Sequence, residues 1–212
     1  MLKNKKLLII TSLLILLPIL AGLLLWDKLP EQLPSHWNAA GEVDGYSSRS
    51  TAVIGLPLFL LAVHWLCLFV TQSDKKNNNQ NLQMLGIALW VCPIISVFGT
   101  AAMYGSALGH SVNMVSLPCL LVGVMFLIVG NYLPKCKHNY TIGIKLPWTL
   151  ASEENWNATH RIGGRVWFAG GFIIALGTLL PEKLIFPCMM AVILVCILIP
   201  TIYSYRYSKK HG

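Results

Sequence analysis

The chain has 212 residues, 55% hydrophobic and 11% charged, with a mean hydropathy of +0.63 and a formal charge of +8. Soluble domains carry about a quarter charged residues, so a chain this apolar cannot cover itself in water and belongs in a bilayer. The positive charge does not call for nucleic acid, because in a membrane chain Lys and Arg report orientation first.

In chain order, apolar runs long enough to cross about 30 Å of hydrocarbon lie near 7–26, 51–71, 84–105, 113–131, 166–180 and 184–205. The first imitates a signal peptide, but it is too long for an h-region and has no A-x-A-like exit, so it reads as a span. The fifth is short and must borrow residues from 162–165 or sit beside thinned lipid. Gly171, Ala175 and Thr178 would share one of its faces and allow close helix approach. Prolines 18, 57, 93, 118 and 187 fall in or near the runs, where lipid-embedded helices tolerate them as kinks. KKNNNQN at 75–81 reads as a polar turn between the second and third runs.

The charges set the direction. Thirteen Lys and Arg fall on the side of the termini, and Lys28, Arg49 and Lys183 fall on the other. That asymmetry predicts both termini in the cytoplasm, with the excess charge also attracting anionic lipid. The expected fold class is an all-α, polytopic membrane bundle of six transmembrane helices. Its expected division is a two-span module over 1–82 and a four-span module over 83–212.

Between the first two spans, DKLPEQLPSHWNAAGEVDGYSSRS forms an external loop. Pro30 and Pro34 favour extended backbone, and the segments at 38–41 and 44–45 are turn signals, so a short structured cap is expected. Trp26 and Trp37 suit the lipid–water interface. His36 with Glu42 or Asp44 has the makings of a cation site or an acid–base pair, or of an ordinary solvated loop.

On the cytoplasmic side, residues 131–165 are unusually patterned. Pro134, Gly143 and Pro147 forbid one long helix up to Thr149. Ser152-Glu153-Glu154 reads as an N-cap with acids in the first turn. A helix from Glu153 would stack Trp156, His160, Gly163 and Trp167 on one face. Glu153, Asn157, Arg161 and Arg165 would form a polar stripe beside it. This predicts an interfacial helix bending near Gly163-Gly164 into the fifth span, with Lys145 or Arg161 placed for cation–π contact with a Trp.

The remaining candidates say less. His64, inside the second run, is an intramembrane ionisable residue, read as donating a hydrogen bond across helices. His110 sits near an outer edge. The six cysteines form no CxxC pair and read as small buried hydrophobes, so no disulfide framework, metal or cofactor is expected. Sequons at Asn139 and Asn157 face the cytoplasm, where glycosylation is not expected.

Two stretches carry a resemblance. LPEQLPSHWNAAGEVDGYSSRS resembles a loop pattern, P…P.H.N..GE.D.., found after the first span of certain bacterial membrane proteins. GNYLPKCKHNYTIGIKLPWTLASEENWNATHRIGGRVW is similar to the defining segment of the SdpI family, GN..P..K.N..IGI+.PWTL..E..W..TH+..G, where + is Arg or Lys. Lys145 stands where many relatives have Arg, which keeps the charge and loses the planar fork. The resemblance implies a multi-pass protein of the bacterial cytoplasmic membrane that gives immunity to a secreted peptide toxin. It also implies a signalling role in which a cytoplasmic transcriptional repressor is held at the membrane. By that analogy Pro34, His36, Trp37, Asn38, Gly41, Glu42 and Asp44 shape an outer face. Asn131, Pro134, Asn139, Gly143, Lys145, Pro147, Trp148, Thr149, Trp156, His160 and Arg161 make the inner one.

Two other classes compete with immunity. A membrane enzyme acting on lipid or peptide would use His36 with Glu42 or Asp44, or His160 with Glu153 or Glu154. A small transporter or toxin exporter would need an acidic residue within a span or an internal repeat, and the sequence has neither.

Overall fold

The structure is a computed structural model that describes residues 5–74 and 82–211; the expected polar turn at 75–81 lies outside them. Its α-helices are α1 (Lys5–Leu24), α2 (Leu56–Ser73), α3 (Leu82–Ala107), α4 (Ser116–Tyr132), α5 (Pro147–Ala151), α6 (Glu153–Gly177) and α7 (Glu182–His211). Five segments among the described residues are long and apolar enough to cross a membrane: Lys5–Leu24, Thr51–Ser73, Leu85–Ala107, Ser116–Lys135 and Glu182–His211. These helices expose large apolar side chains, such as Leu24 at 85% and Phe69 at 70%. In water that surface would be a liability, and in lipid it is the solvent-matched face. The protein is a helical membrane protein.

The prolines bend to the backbone rules expected of lipid. Pro18 lies inside α1, Pro93 inside α3, and Pro187 and Pro200 inside α7, all without ending the helix. Ahead of α2, Thr51–Gly55 forms a π-turn, and the Leu56 N–H reaches the Thr51 carbonyl. Pro57 has no N–H for Val53, so the wider hydrogen-bond ring takes over at this point.

The chain divides into two compact units, residues 1–69 with 88–114 and residues 70–87 with 115–212. In the first, Leu29, Leu33, Ala52, Val53, Met103 and Tyr104 form a buried cluster, and Ile15, Leu60 and Cys92 form another. Side-chain hydrogen bonds cross between its helices. Ser96 Oγ donates to the Ile15 carbonyl at 2.8 Å, and Tyr104 Oη to the Pro18 carbonyl at 3.2 Å. His64 is buried with Nε2 3.0 Å from Thr11 Oγ1, whose hydroxyl bonds the Leu7 and Leu8 carbonyls. A hydroxyl donating to a carbonyl leaves its oxygen free to accept, so His64 donates across helices as expected.

In the second unit α4 and α6 pack at backbone distance. A Cβ on Gly123 would lie 2.9 Å from the Ala175 nitrogen and 3.0 Å from the Gly171 oxygen. One on Gly164 would lie 2.8 Å from the Gly130 oxygen. Gly171 and Ala175 therefore do allow close approach, as small residues in membrane helices should.

Among the described residues the fold departs from all-α in one place. The loop between the first two apolar segments is a β-hairpin, β1 (Gln32–Trp37) and β2 (Val43–Ser48), antiparallel with Leu33 opposite Ser47 and Pro34 opposite Tyr46. Its pairing registers shift between Pro34 and Trp37. Sequence signals of extended backbone and a tight turn were present, but β2 (VDGYSS) holds too few apolar residues to announce a strand.

Candidate functional site

The hairpin starts from its turn. Asn38 Oδ1 accepts from the Ala40 and Glu42 N–H groups, and its own N–H donates to the Glu42 carbonyl at 2.9 Å. Gly41 has φ +80°, a left-handed conformation that glycine adopts without cost. Asn38 Nδ2 also donates to Glu42 Oε2 at 3.0 Å. One strand further in, His36 Nδ1 pairs with Asp44 Oδ1 at 2.5 Å, on side chains 72% and 44% exposed. Gly45 makes room beside His36, since a Cβ there would lie 2.9 Å from the His36 Cβ.

The cap is tied down at its base. Leu33 is fully buried in the cluster with Leu29, Val53 and Tyr104, and Trp37 packs against the same cluster. Arg49 donates to the Trp26 and Pro30 carbonyls, with its guanidinium 5.2 Å from the Trp26 ring centroid. Pro34, Trp37, Asn38, Gly41 and Glu42 thus shape and seat the hairpin, while His36 and Asp44 stand in solvent.

The motif at 131–165 is built differently. α4 ends in a 3-10 turn, Leu133–Lys135, and the chain then doubles back over α6. Asn139 is fully buried and replaces backbone partners on both sides. Its Nδ2 donates to the Lys137 and Ile142 carbonyls at 2.7 and 2.8 Å, and its Oδ1 accepts from the Thr141 and Ile142 N–H groups at 2.8 and 2.6 Å. This is the local side-chain-to-backbone bonding for which Asn suits turns. Asp74 receives the Tyr140 N–H at 2.7 Å and the Thr141 hydroxyl at 3.1 Å.

Gly143 follows with φ +126°, and a side chain there would collide with His160 and Trp156. The His160 ring is fully spent. Nδ1 lies 2.8 Å from the Trp156 carbonyl, and the Ile144 N–H donates to Nε2 at 3.0 Å. A carbonyl needs a donor and an N–H needs an acceptor, so the imidazole is neutral with its proton on Nδ1. Burial pushes its pKa down to about 4, opposed by the Trp156 carbonyl and reinforced by nearby His138.

Trp156 lies beneath, fully buried, stacked on His160 with centroids 4.0 Å apart and donating Nε1–H to the Cys136 carbonyl at 2.9 Å. The Cys136 thiol is also buried, and desolvation pushes its pKa up to about 11 despite a bond from Asn139. Thr149 closes the far end. Its hydroxyl accepts the Leu146 N–H at 2.8 Å and lies 2.9 Å from the Ile144 carbonyl, holding the first turn of α5, where Pro147 occupies a position needing no N–H. Trp148 is half-buried, edge-on to Tyr205 at 5.4 Å.

Three expectations for this segment need correction. The aromatic stripe of α6 does not form a membrane-facing surface, because the loop from Cys136 to Ile144 covers Trp156 and His160. The predicted stripe was right in period, but period does not say what lies over a face. His160 also has no free nitrogen for acid–base work with Glu153 or Glu154, which stand exposed at the start of α6. Lys145 and Arg161 are exposed, and among the described residues the cation–π contacts of this unit are instead Lys135 over Tyr132 and Lys209 over Tyr205. Asn131 is exposed too, and Pro134 packs its ring against Gly164.

The polar stripe itself is as expected, with Glu153, Asn157, Arg161 and Arg165 all exposed. Ser152 caps α6 by accepting the Asn155 N–H at 3.2 Å, and the helix runs unbroken through Gly163 and Gly164. Sequence reasoning missed a buried polar set beside it. Asn155 Nδ2 donates to the Ser204 carbonyl at 3.0 Å, and its Oδ1 accepts from Thr159 and Ser204 hydroxyls at 2.9 and 3.0 Å. Asn155 and Thr159 sit one position before Trp156 and His160 with the same spacing, a signal that was readable. Nothing local marks Ser204.

Comparison with known proteins fits this geometry. Residues 135–204, which hold most of this motif and its α7 partner, match the SdpI/YfhL protein family. Residues 13–61, which hold the hairpin, match a domain of unknown function, DUF1648. The Immunity protein SdpI of Bacillus subtilis (strain 168) is 28% identical over 206 residues, covering 95% of this chain and 96% of that protein. Residues 135–204 thus carry the SdpI/YfhL family segment, and the chain is similar to that immunity protein over nearly its whole length. No solved structure matches it. Here the motif residues Asn139, Gly143, Thr149, Trp156 and His160 fold one buried, backbone-bonded knot, whereas Asn131, Lys145 and Arg161 are left at its surface.

Proposed function

We propose that this protein gives immunity to a secreted, membrane-active peptide toxin; the Bacillus subtilis relative is named an immunity protein. The likeness over nearly the whole of both chains carries the reading. The geometry favours binding and packing over catalysis on the inner side, because the buried motif side chains are committed to backbone groups. The protein crosses the bacterial cytoplasmic membrane six times with both termini in the cytoplasm, α6 supplying the remaining span through its apolar half. Thirteen basic residues against three support that direction. The hairpin then faces the toxin's side, and the knot with its exposed Lys145 and Arg161 faces the cytoplasm, where a transcriptional repressor would dock. Coupling between the faces requires a ligand that binds two packings with different affinity.

The test is survival of toxin-sensitive bacteria expressing the protein during a graded peptide-toxin challenge, beside His36→Ala and Trp148→Ala at matched membrane levels. Protection by the parent that is lost in a variant locates the functional face. No protection across a toxin panel overturns the reading.

A further inference from the structure

α7 contains Pro200, and a proline in a helix leaves the carbonyl four residues earlier without its backbone donor. That carbonyl belongs to Cys196. Trp167 of α6 donates its indole Nε1–H to it at 3.1 Å. The Trp167 ring is meanwhile stacked on Phe126 of α4, centroids 4.6 Å apart and 11° between planes, so the donor is held in place. One turn beyond Pro200, the reciprocal Asn155–Ser204 pair ties α7 to α6 again.

Between these two bonds, Gly163 leaves space that three elements fill. A Cβ on it would lie 2.5 Å from Ile144, 3.2 Å from Leu133 and 3.6 Å from Pro200. The proline break is therefore in register with the residues that start and end the motif loop. The Ile144 N–H is also the group that His160 accepts.

We propose that Trp167 is a positioning residue that substitutes for the hydrogen bond Pro200 removes, latching α7 to α6 directly beneath the motif knot. The latch transfers the orientation of α7 to Ile144 and His160, and an opening at Pro200 loosens the knot. It rests on the reading that the knot is the functional inner face, but it is tested without toxin.

The experiment is a double-mutant cycle on the full chain in lipid nanodiscs, reading amide exchange over 197–204 and at Ile144. Trp167→Phe keeps the ring and removes the donor, and the orphaned carbonyl should speed exchange about tenfold. Pro200→Ala restores a backbone N–H for Cys196, so Trp167→Phe in that background should change exchange by less than about threefold. If Trp167→Phe fails to fold while the double variant folds, the latch is likewise supported. Equal acceleration in both backgrounds would mean that Trp167 only packs, and no acceleration in either would mean that the bond holds nothing. Each of those outcomes overturns the proposal, and loss of toxin protection alone does not touch it.

Discussion

His160 shows what one side chain contributes when both its ring nitrogens are bonded inside protein. Its folded form holds the imidazole neutral with a pKa near 4, whereas an unfolded chain takes up the proton at about 6.5. The unfolded state therefore binds more protons between those values, and stability rises with pH through that window. The contribution is fully present above 6.5 and is lost as pH falls towards 4, at a cost of about 3 kcal/mol. Melts of the detergent-solubilised protein should show this slope between pH 6.5 and 4, and His160→Gln should be less stable at pH 7.5 but flatter across the window. A parent whose melting temperature does not change over that range would contradict the neutral assignment. Gly143→Ala strikes the same place through the backbone. A left-handed φ costs a non-glycine residue about 1–3 kcal/mol, and displacing His160 strands the Ile144 N–H for about 1–3 more. The expected loss is about 2–6 kcal/mol, read as a lower unfolding midpoint.

At the scale of elements, glycine spacing decides how closely helices meet. Gly130→Ala would drive a methyl into the Phe168 backbone of α6, and an alternative position is unavailable because both partners are helix main chain. Overpacking of this kind costs about 1–3 kcal/mol. Gly99 of α3 is the control, since a Cβ there meets nothing within 4 Å. Gly99→Ala should be neutral to stabilising by about 0.5–1 kcal/mol, and parallel thermal melts of the two variants distinguish a packing glycine from an idle one. The α6 cap is a third case. Ser152→Ala removes the acceptor for the Asn155 N–H, and an N-cap is worth about 1 kcal/mol. Faster amide exchange confined to the first turn of α6 is the expected signature.

For the whole molecule, orientation is the property on which the functional reading depends. Reporter fusions at residue 40, the hairpin tip, and after residue 211 should report opposite sides of the membrane, with the second cytoplasmic. Two fusions on one side would remove the external cap from the toxin's reach. The sequence by itself determined the membrane class, the apolar segments, the turn chemistry at Asn38 and Gly41, and the family motif. These are local or compositional properties: a run of apolar residues, a charge count, a residue type at a turn. It also determined which residues share a face of α6, because helical period is local.

What covers those faces follows from how segments distant in the chain pack together. Lipid and protein interior are both apolar, so the pattern of Trp156 and His160 cannot distinguish a stripe bathed in membrane from one buried under a loop. The same limit hid the Asn155–Ser204 pair, whose members are 49 residues apart. A buried polar group needs a partner wherever it sits, but the chain must fold before that partner has a number.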